Sequence, residues 1–272
     1  MKKITIAIPT FNRLELVKKM AQSLFMTTDM EKVNVRIYDD CSTEYDVDTL
    51  QDLFPMASIY RHKTNRGADY NMWYLYHDFL KSDDEIFFNA DSDIIFSKGW
   101  LEKGLSLLDK TDGCLSLFNT ANHMNISIGD ELVEKLDVGA AGVLFKRDVL
   151  ESIMDMYSSE DVVHFDFQWS EFLKKNGLKI YATKSSFIQH IGFTGKNSGI
   201  KGFDYGDGFI IDSVFNGQVI NNAVEEYYKK LGHKNFIRSS LEYRIGYYVL
   251  WPFRLPVRFI NKIKRIYKDS LA

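Results

Sequence analysis

The amino-acid sequence predicts an α/β protein: a Rossmann-like, mostly parallel central sheet with helices on both faces, followed by a C-terminal helical extension. Three observations carry that expectation. Short apolar, β-branched runs alternate with helical patterns through the first 118 residues, as parallel strands joined by crossover helices do. Each run stops at a polar cluster: "PTFNR", "DDCS", "TNRG" or "DSD". Helical periodicity returns after about Ile220 and continues to the end of the chain.

Residues 3–8 read as the first strand, and Leu14, Val17, Ala21, Leu24 and Phe25 then fall on one face of a helix. Further strands are expected at 33–38, 57–61, 85–90 and 113–118, with a helix from about Ala68 to Leu80. The second half is less regular. It offers strands at 142–146 and 179–182 and helices near 147–156 and 165–176. From Gly192 to Gly208 the chain holds six glycines in 17 residues, with Lys196 and Lys201 inside. That is long for a connector and reads as a lid.

At 272 residues the chain fits one large domain or two small ones, and its 45% hydrophobic content suits a substantial core. A net charge of −3 argues against a general nucleic-acid binder. The average conceals an asymmetry: residues 237–272 sum to +6 and the preceding 236 to −9. Cys41 and Cys114 stand far apart, in no metal-binding spacing, which suits a reducing compartment. The apolar run of "MKKITIAIPTFNR" is too short for a secretory signal, and no stretch reaches about 18 apolar residues. A cytoplasmic protein is expected.

Ligands of open α/β sheets bind beyond the carboxyl ends of the strands, where the polar clusters lie. Asp91 and Asp93 in "FFNADSDII" are either a charged turn or a cation site. Neither G-x-G-x-x-G nor G-x-x-x-x-G-K-[ST] occurs, so a diphosphate here would need another positive charge. A Mg²⁺ or Mn²⁺ ion held by carboxylates can supply one.

The ordered set "IAIPTFNR…YDDCS…NRGADYN…NADSDI" resembles the N-terminal half of family 2 glycosyltransferases with the GT-A fold, over roughly residues 3–100. The resemblance implies a nucleotide pocket lined by Pro9, Thr10, Phe11, Asn12 and Arg13. Asp40 would accept a hydrogen bond from uracil, and Asn65, Arg66 and Gly67 would close the other side of the base and ribose. Asp91 and Asp93 match the family's D-x-D, touching ribose and metal, with Asp93 the direct ligand. Among acids of the second half, Asp166 best matches the family's base, although a first-turn acid is also favourable for a helix by itself. Glu160 and Asp161 come next, and His164 is expected to pack or cap. His190 and Lys196 match a late metal ligand and a diphosphate contact. "DVGAAGVLFKRD" resembles the segment that lets the backbone approach the donor sugar, although a tight start of a strand explains its small residues equally well.

The division implied is a catalytic domain over 1–218 and a basic, aromatic helical extension over 219–272. The first would comprise a nucleotide half at 1–118 and an acceptor half at 119–218, with the lid at 192–208. The activity implied is transfer of a hexose, glucose or galactose, from a UDP-sugar to a saccharide or glycoprotein acceptor. It would depend on Mn²⁺ or Mg²⁺, invert the anomeric carbon, be non-processive, and serve bacterial surface-glycan or adhesin glycosylation. "FQWSEF" is not the Q-x-x-R-W of polymerising synthases. The tail at 237–272 suits either docking on the catalytic domain or peripheral contact with the inner face of a membrane. Two alternatives remain: a non-catalytic UDP-sugar-binding protein with a decayed site, or a sugar nucleotidyltransferase, whose Gly-rich loop "PTFNR" does not reproduce. His62, His77, His123 and His233 have no evident partners, and the aromatics of 73–80 read as a core helix face.

Overall fold

The computed structural model describes residues 3–192 and 203–239, with side chains described up to residue 232. In chain order the elements are β1 (Ile4–Thr10), α1 (Leu14–Thr27), β2 (Asn34–Asp39), α2 (Val47–Leu53), β3 (Ser58–Arg61), α3 (Ala68–Phe79), β4 (Ile86–Asn89) and β5 (Ile94–Phe96). There follow α4 (Trp100–Leu108), β6 (Cys114–Ser116), β7 (Asn125–Ile128), β8 (Leu132–Lys135), β9 (Val143–Lys146), α5 (Arg147–Met154) and α6 (Phe165–Lys175). β10 (Ile180–Thr183), β11 (Ile188–His190) and α7 (Val214–Ser239) complete them.

Nine strands form one sheet in the order β3-β2-β1-β4-β9-β6-β10-β8-β7. The pairings run parallel through β3, β2, β1 and β4; β9 and β8 are the two reversed strands, so seven of nine point one way. The expected α/β architecture is therefore the observed one.

Burial explains the continuous apolar runs. Ile6 and Ile8 of β1 face one layer with Val17, Met20 and Leu24 of α1, while Ala7 faces the other with Tyr76 and Phe79 of α3. β4 and β9 divide the same way, Phe88 and Leu144 on the first side and Phe87 and Phe145 on the second. A strand covered on both faces has no polar side, which removes the usual alternation. Trp169 and Phe165 of α6 lie in the second layer, with Trp169 edge-on to Phe145 at 5.1 Å. Phe25, expected on the buried face of α1, is 37% exposed and leans on Phe54. In α3, Leu75, Tyr76 and Phe79 are buried, whereas His77 is exposed and stacks on Trp73.

The upstream acid Asp84 belongs to the opposite end of the sheet from the D-x-D. Its carboxylate accepts from Thr5 Oγ1 at 2.5 Å and Asn34 Nδ2 at 2.8 Å, joining β1, β2 and the start of β4. Both cysteines are free. No helix among the described residues is long and apolar enough to cross a membrane.

The chain divides into two compact units, the first ending at Ala223 and the second beginning at Val224. In the second unit the described residues, through Ser239, are helical. The basic tail at 240–272 lies outside the described residues.

Candidate active site

The site is assembled at the carboxyl ends of β1, β2 and β4. Arg13 follows β1 in the left-handed region, with φ of 61°, directly after Asn12 at 54°. Two such residues in succession are costly for side chains with a Cβ, and Asn12 offsets this with a dense set of bonds. Its N–H donates to Ser42 Oγ at 2.8 Å, and its Oδ1 accepts from the backbone N–H of Thr43 and Glu44. The turn after β1 is thereby bolted to the turn after β2, and Arg13 is sent across the sheet end.

Arg13 reaches the D-x-D. Its guanidinium lies 2.6 Å from Asp93 Oδ2, and His190 Nε2 lies 3.1 Å from Asp93 Oδ1. His190 arrives through a separate two-stranded ribbon. β11 pairs antiparallel with β5, with His190 opposite Ile94, and the Ile191 N–H donates to the Asp93 carbonyl at 2.8 Å. Ligand atoms of Asp91, Asp93 and His190 all lie within 4.8 Å of one another.

Burial sets the electrostatics of this cluster. Burial and the neighbouring Asp93 push the Asp91 carboxyl up to about 6. Burial would raise Asp93 too, but His190 and Arg13 hold it well below the usual carboxylate range. Burial would lower His190, but Asp93, with Asp91 and Asp204, raises it to about 9. Two acids and one imidazole, Asp93 buried and Asp91 and His190 partly so, suit a hard divalent cation such as Mn²⁺ or Mg²⁺, which would replace the His190 proton and the Arg13 charge. A second observation fits that use. Asn89, fully buried, donates to Asp91 Oδ1 at 3.0 Å and to the Ala140 carbonyl at 2.9 Å, while its own Oδ1 has no partner among the described residues.

The residues expected on the nucleotide side fall in two groups. Asp40 is 3% exposed, and its oxygens accept from the backbone N–H of Arg66 and Gly67, each at 2.8 Å. It therefore holds the "NRG" loop in place; Asn65 and Arg66 are exposed, and Arg66 lies over the Tyr70 ring at 4.0 Å. Thr10 is buried and donates to Asp39, while Pro9 is half-buried and Phe11 is 43% exposed. Asp39, which the sequence left unassigned, is completely buried and pairs with Arg61 at 3.2 Å and with Ser42.

Asp166 lies in the first turn of α6, half-buried. Burial raises its pKa, as does the neighbouring Asp69, while His123 opposes the shift. The Tyr76 hydroxyl, fully buried and without a hydrogen-bond partner among the described residues, senses both Asp166 and Asp91. Glu160 and Asp161 are exposed on a turn, with Asp161 accepting from Ser158 at 2.5 Å. His164 is the N-cap residue of α6 in the left-handed region, and its side chain makes no capping bond.

Other expectations change. His123 does have partners: Nδ1 meets Asp137 Oδ1 at 2.5 Å, and Nε2 accepts from the Gly139 N–H at 3.1 Å. His62 Nε2 meets Asn71 Oδ1 at 3.2 Å. Gly142 has φ of +72°, and a Cβ there would lie 1.9 Å from Ile188 Cδ1, so core packing already demands a glycine. The described end of the Gly-rich segment is tied down. The Asp207 N–H donates to the Asn119 carbonyl at 2.6 Å, and the Gly206 N–H donates to Gln189 Oε1 at 2.9 Å. Lys196 and the rest of the expected lid, at 193–202, lie outside the described residues.

The model of the family described as "Glycosyl transferase family 2" matches residues 5–124, which run from β1 through the D-x-D and β6 to the start of β7. The protein has the GT-A fold, and its residues 5–124 are similar to that family. Two solved structures share this fold at low sequence identity. S. aureus TarS 1–349 in complex with UDP has a TM-score of 0.54 and 15% identity, over 69% of this chain and 60% of that one. GalNAc-T7 with UDP, GalNAc and Mn²⁺ has a TM-score of 0.59 and 11% identity, over 84% of this chain and 49% of that one. The GT-A chain thus spans about half to three-fifths of these two relatives. No curated protein matches it in sequence.

Proposed function

We propose that this GT-A protein is a metal-dependent glycosyltransferase that moves a hexose, glucose or galactose, from a UDP-sugar to a saccharide or glycoprotein acceptor. The observation that carries the reading is the convergence of Asp91, Asp93 and His190 within 4.8 Å at the carboxyl end of β4. These three residues would hold Mn²⁺ or Mg²⁺, which when bound supplies Lewis-acid stabilisation for a diphosphate leaving group. The two similar structures contain UDP, and one contains Mn²⁺, which supports both the nucleotide and the cation.

The chain's own residues have distinct tasks. Phe11 offers an exposed ring for the base, beside Pro9, Thr10 and Asn12. Asp40 fixes Asn65, Arg66 and Gly67 as the far wall, and each of its oxygens keeps a further lone pair for a uracil N–H. Arg13, which lies beside Asp93, would supply a positive charge to the diphosphate, and Lys196 would supply a second. Asp166 takes the proton of the acceptor hydroxyl, a role that contributes about 10²–10⁴-fold in such reactions. Its raised pKa makes it a stronger base than an ordinary aspartate.

In the same reading the catalytic domain is 1–218, and 219–272 is an accessory extension whose basic end contacts the inner face of a membrane. Transfer is inverting and non-processive, in bacterial surface-glycan assembly in the cytoplasm. The test is release of UDP or GDP from a panel of UDP- and GDP-sugars with Mn²⁺, with Mg²⁺ and with EDTA. Metal-dependent turnover of one UDP-hexose, lost in Asp93→Ala, is the expected result. Mn²⁺-dependent UDP binding with no turnover in the presence of saccharide acceptors would favour a decayed binding protein instead.

A further inference from the structure

The N-terminus of α6 has a gap in its own capping. His164 occupies the N-cap position with φ of 51°, and its side chain bonds to none of the first-turn N–H groups. The next residue, Phe165, is completely buried, so its N–H cannot turn to water. An unpaired buried N–H is among the costlier local defects in a fold. The partner comes from another helix: Asp69 Oδ1 accepts from the Phe165 N–H at 3.0 Å across 96 residues of sequence. Asp69 sits in the first turn of α3, two residues beyond Gly67, whose N–H is held by Asp40. One carboxylate therefore serves the positive ends of two helices, α3 and α6.

We propose that Asp69 is the positioning residue for Asp166, fixing the first turn of α6 to the loop that Asp40 holds on the nucleotide side. The proposal rests on the reading of Asp166 as the base. Phe165 is clamped on its other sides by Tyr76 at 5.7 Å and Tyr157 at 5.7 Å, so the turn has little freedom except through this cap. The consequence is a direct structural link between nucleotide pocket and base: residues 66–69 carry the far wall of the pocket at one end and the cap of α6 at the other. Ordering of the "NRG" loop then orders Asp166.

A second effect follows from charge. The groups that bear on Asp166 are Asp69 and Tyr76 from α3 and His123 from the loop before β7. Asp69 is the nearby like charge, and it acts together with burial to favour the protonated form of Asp166. The two contributions of Asp69 are separable, because Asp69→Asn keeps an acceptor oxygen and drops the charge, whereas Asp69→Ala drops both.

The test uses the full chain and three readouts. Amide exchange of Phe165, followed by NMR, should be about tenfold faster or more in Asp69→Ala and near wild type in Asp69→Asn. Carbon NMR titration of the Asp166 carboxyl should show a lower midpoint in both variants. UDP release from UDP-glucose and UDP-galactose with Mn²⁺ should fall in kcat on the order of 10²-fold for Asp69→Ala, with the donor KM held. Asp69→Ala should add little further loss in an Asp166→Asn background. Unchanged exchange and an unchanged Asp166 midpoint in Asp69→Ala would overturn the positioning role whatever the rates do. If Asp166→Asn keeps the wild-type rate, the base reading itself fails; the exchange data then still report on the cap separately.

Discussion

Gly192 offers a sharp test of the D-x-D geometry. It follows β11 by two residues, and a Cβ built on it would lie 1.9 Å from Asp93 Oδ2 and 2.6 Å from Asp93 Cγ. Ordinary contact begins at 3.4 Å, so in Gly192→Ala the Asp93 carboxylate must retreat by about 1.5 Å or the ribbon must yield. Gly192 does not have a left-handed φ, so alanine brings no backbone strain and the effect falls on Asp93. Retreat breaks the contacts to Arg13 and His190 and misplaces a proposed metal ligand. A shift near 1 Å at a reacting centre can cost on the order of 10²-fold in rate. The assay is calorimetric titration of UDP in Mn²⁺, paired with UDP release from the preferred donor. Gly142→Ala is the contrast: its positive φ and its overlap with Ile188 should destabilise the fold by about 2–5 kcal/mol in urea unfolding. Wild-type Mn²⁺-dependent UDP affinity and turnover in Gly192→Ala would refute the placement of Asp93 as a metal ligand.

Further outcomes are expected. His190 is raised from 6.5 to about 9 in the folded chain, so its contribution to stability is complete below pH 6.5 and is lost as pH rises through 9. Metal-free protein should therefore lose about 3 kcal/mol between these limits, measured by urea unfolding, and Asp93→Asn should flatten the profile. Adding Mn²⁺ with UDP should raise the thermal midpoint, and EDTA should remove the gain. Asp84→Ala strands the Thr5 hydroxyl at the far end of the sheet and should cost about 1–3 kcal/mol while leaving UDP affinity intact. If Asp166 is the base as proposed, the acid limb of the transfer rate should lie above the ordinary aspartate range, because a raised pKa means it protonates earlier as pH falls.

The strands that a sequence reader can see are those buried on both sides. Residues 6–8 and 86–88 are apolar without a break because Ile6 and Phe88 face one layer while Ala7 and Phe87 face the other. β5 and β11 have three residues each and pair with each other across more than 90 residues, so local pattern carries no trace of them. β7 and β8, a hairpin of four residues each, escape it because their residues are mostly polar or exposed. Helices α2 and α4 were absent from the expectation as well. The same division holds at the site. Asp91 and Asp93 are conspicuous because paired acids at the end of an apolar run need a reason. Asn89, Asp39 and Asp69 look like ordinary turn or helix-start residues, and only their partners, at Ala140, Arg61 and Phe165, mark them out.

The ribbon of β5 and β11 gives the donor cluster a timetable. Its strands lie more than 90 residues apart, so during synthesis β1 to β5 leave the ribosome long before His190 exists. At that stage the aspartates of the turn have Arg13 for company and no imidazole. The cluster closes only after α6 and β10 have been made, when β11 folds back on β5. A growing chain therefore carries an incomplete cluster, and the proposed cation site can be completed only late, by a long-range contact of high sequence separation.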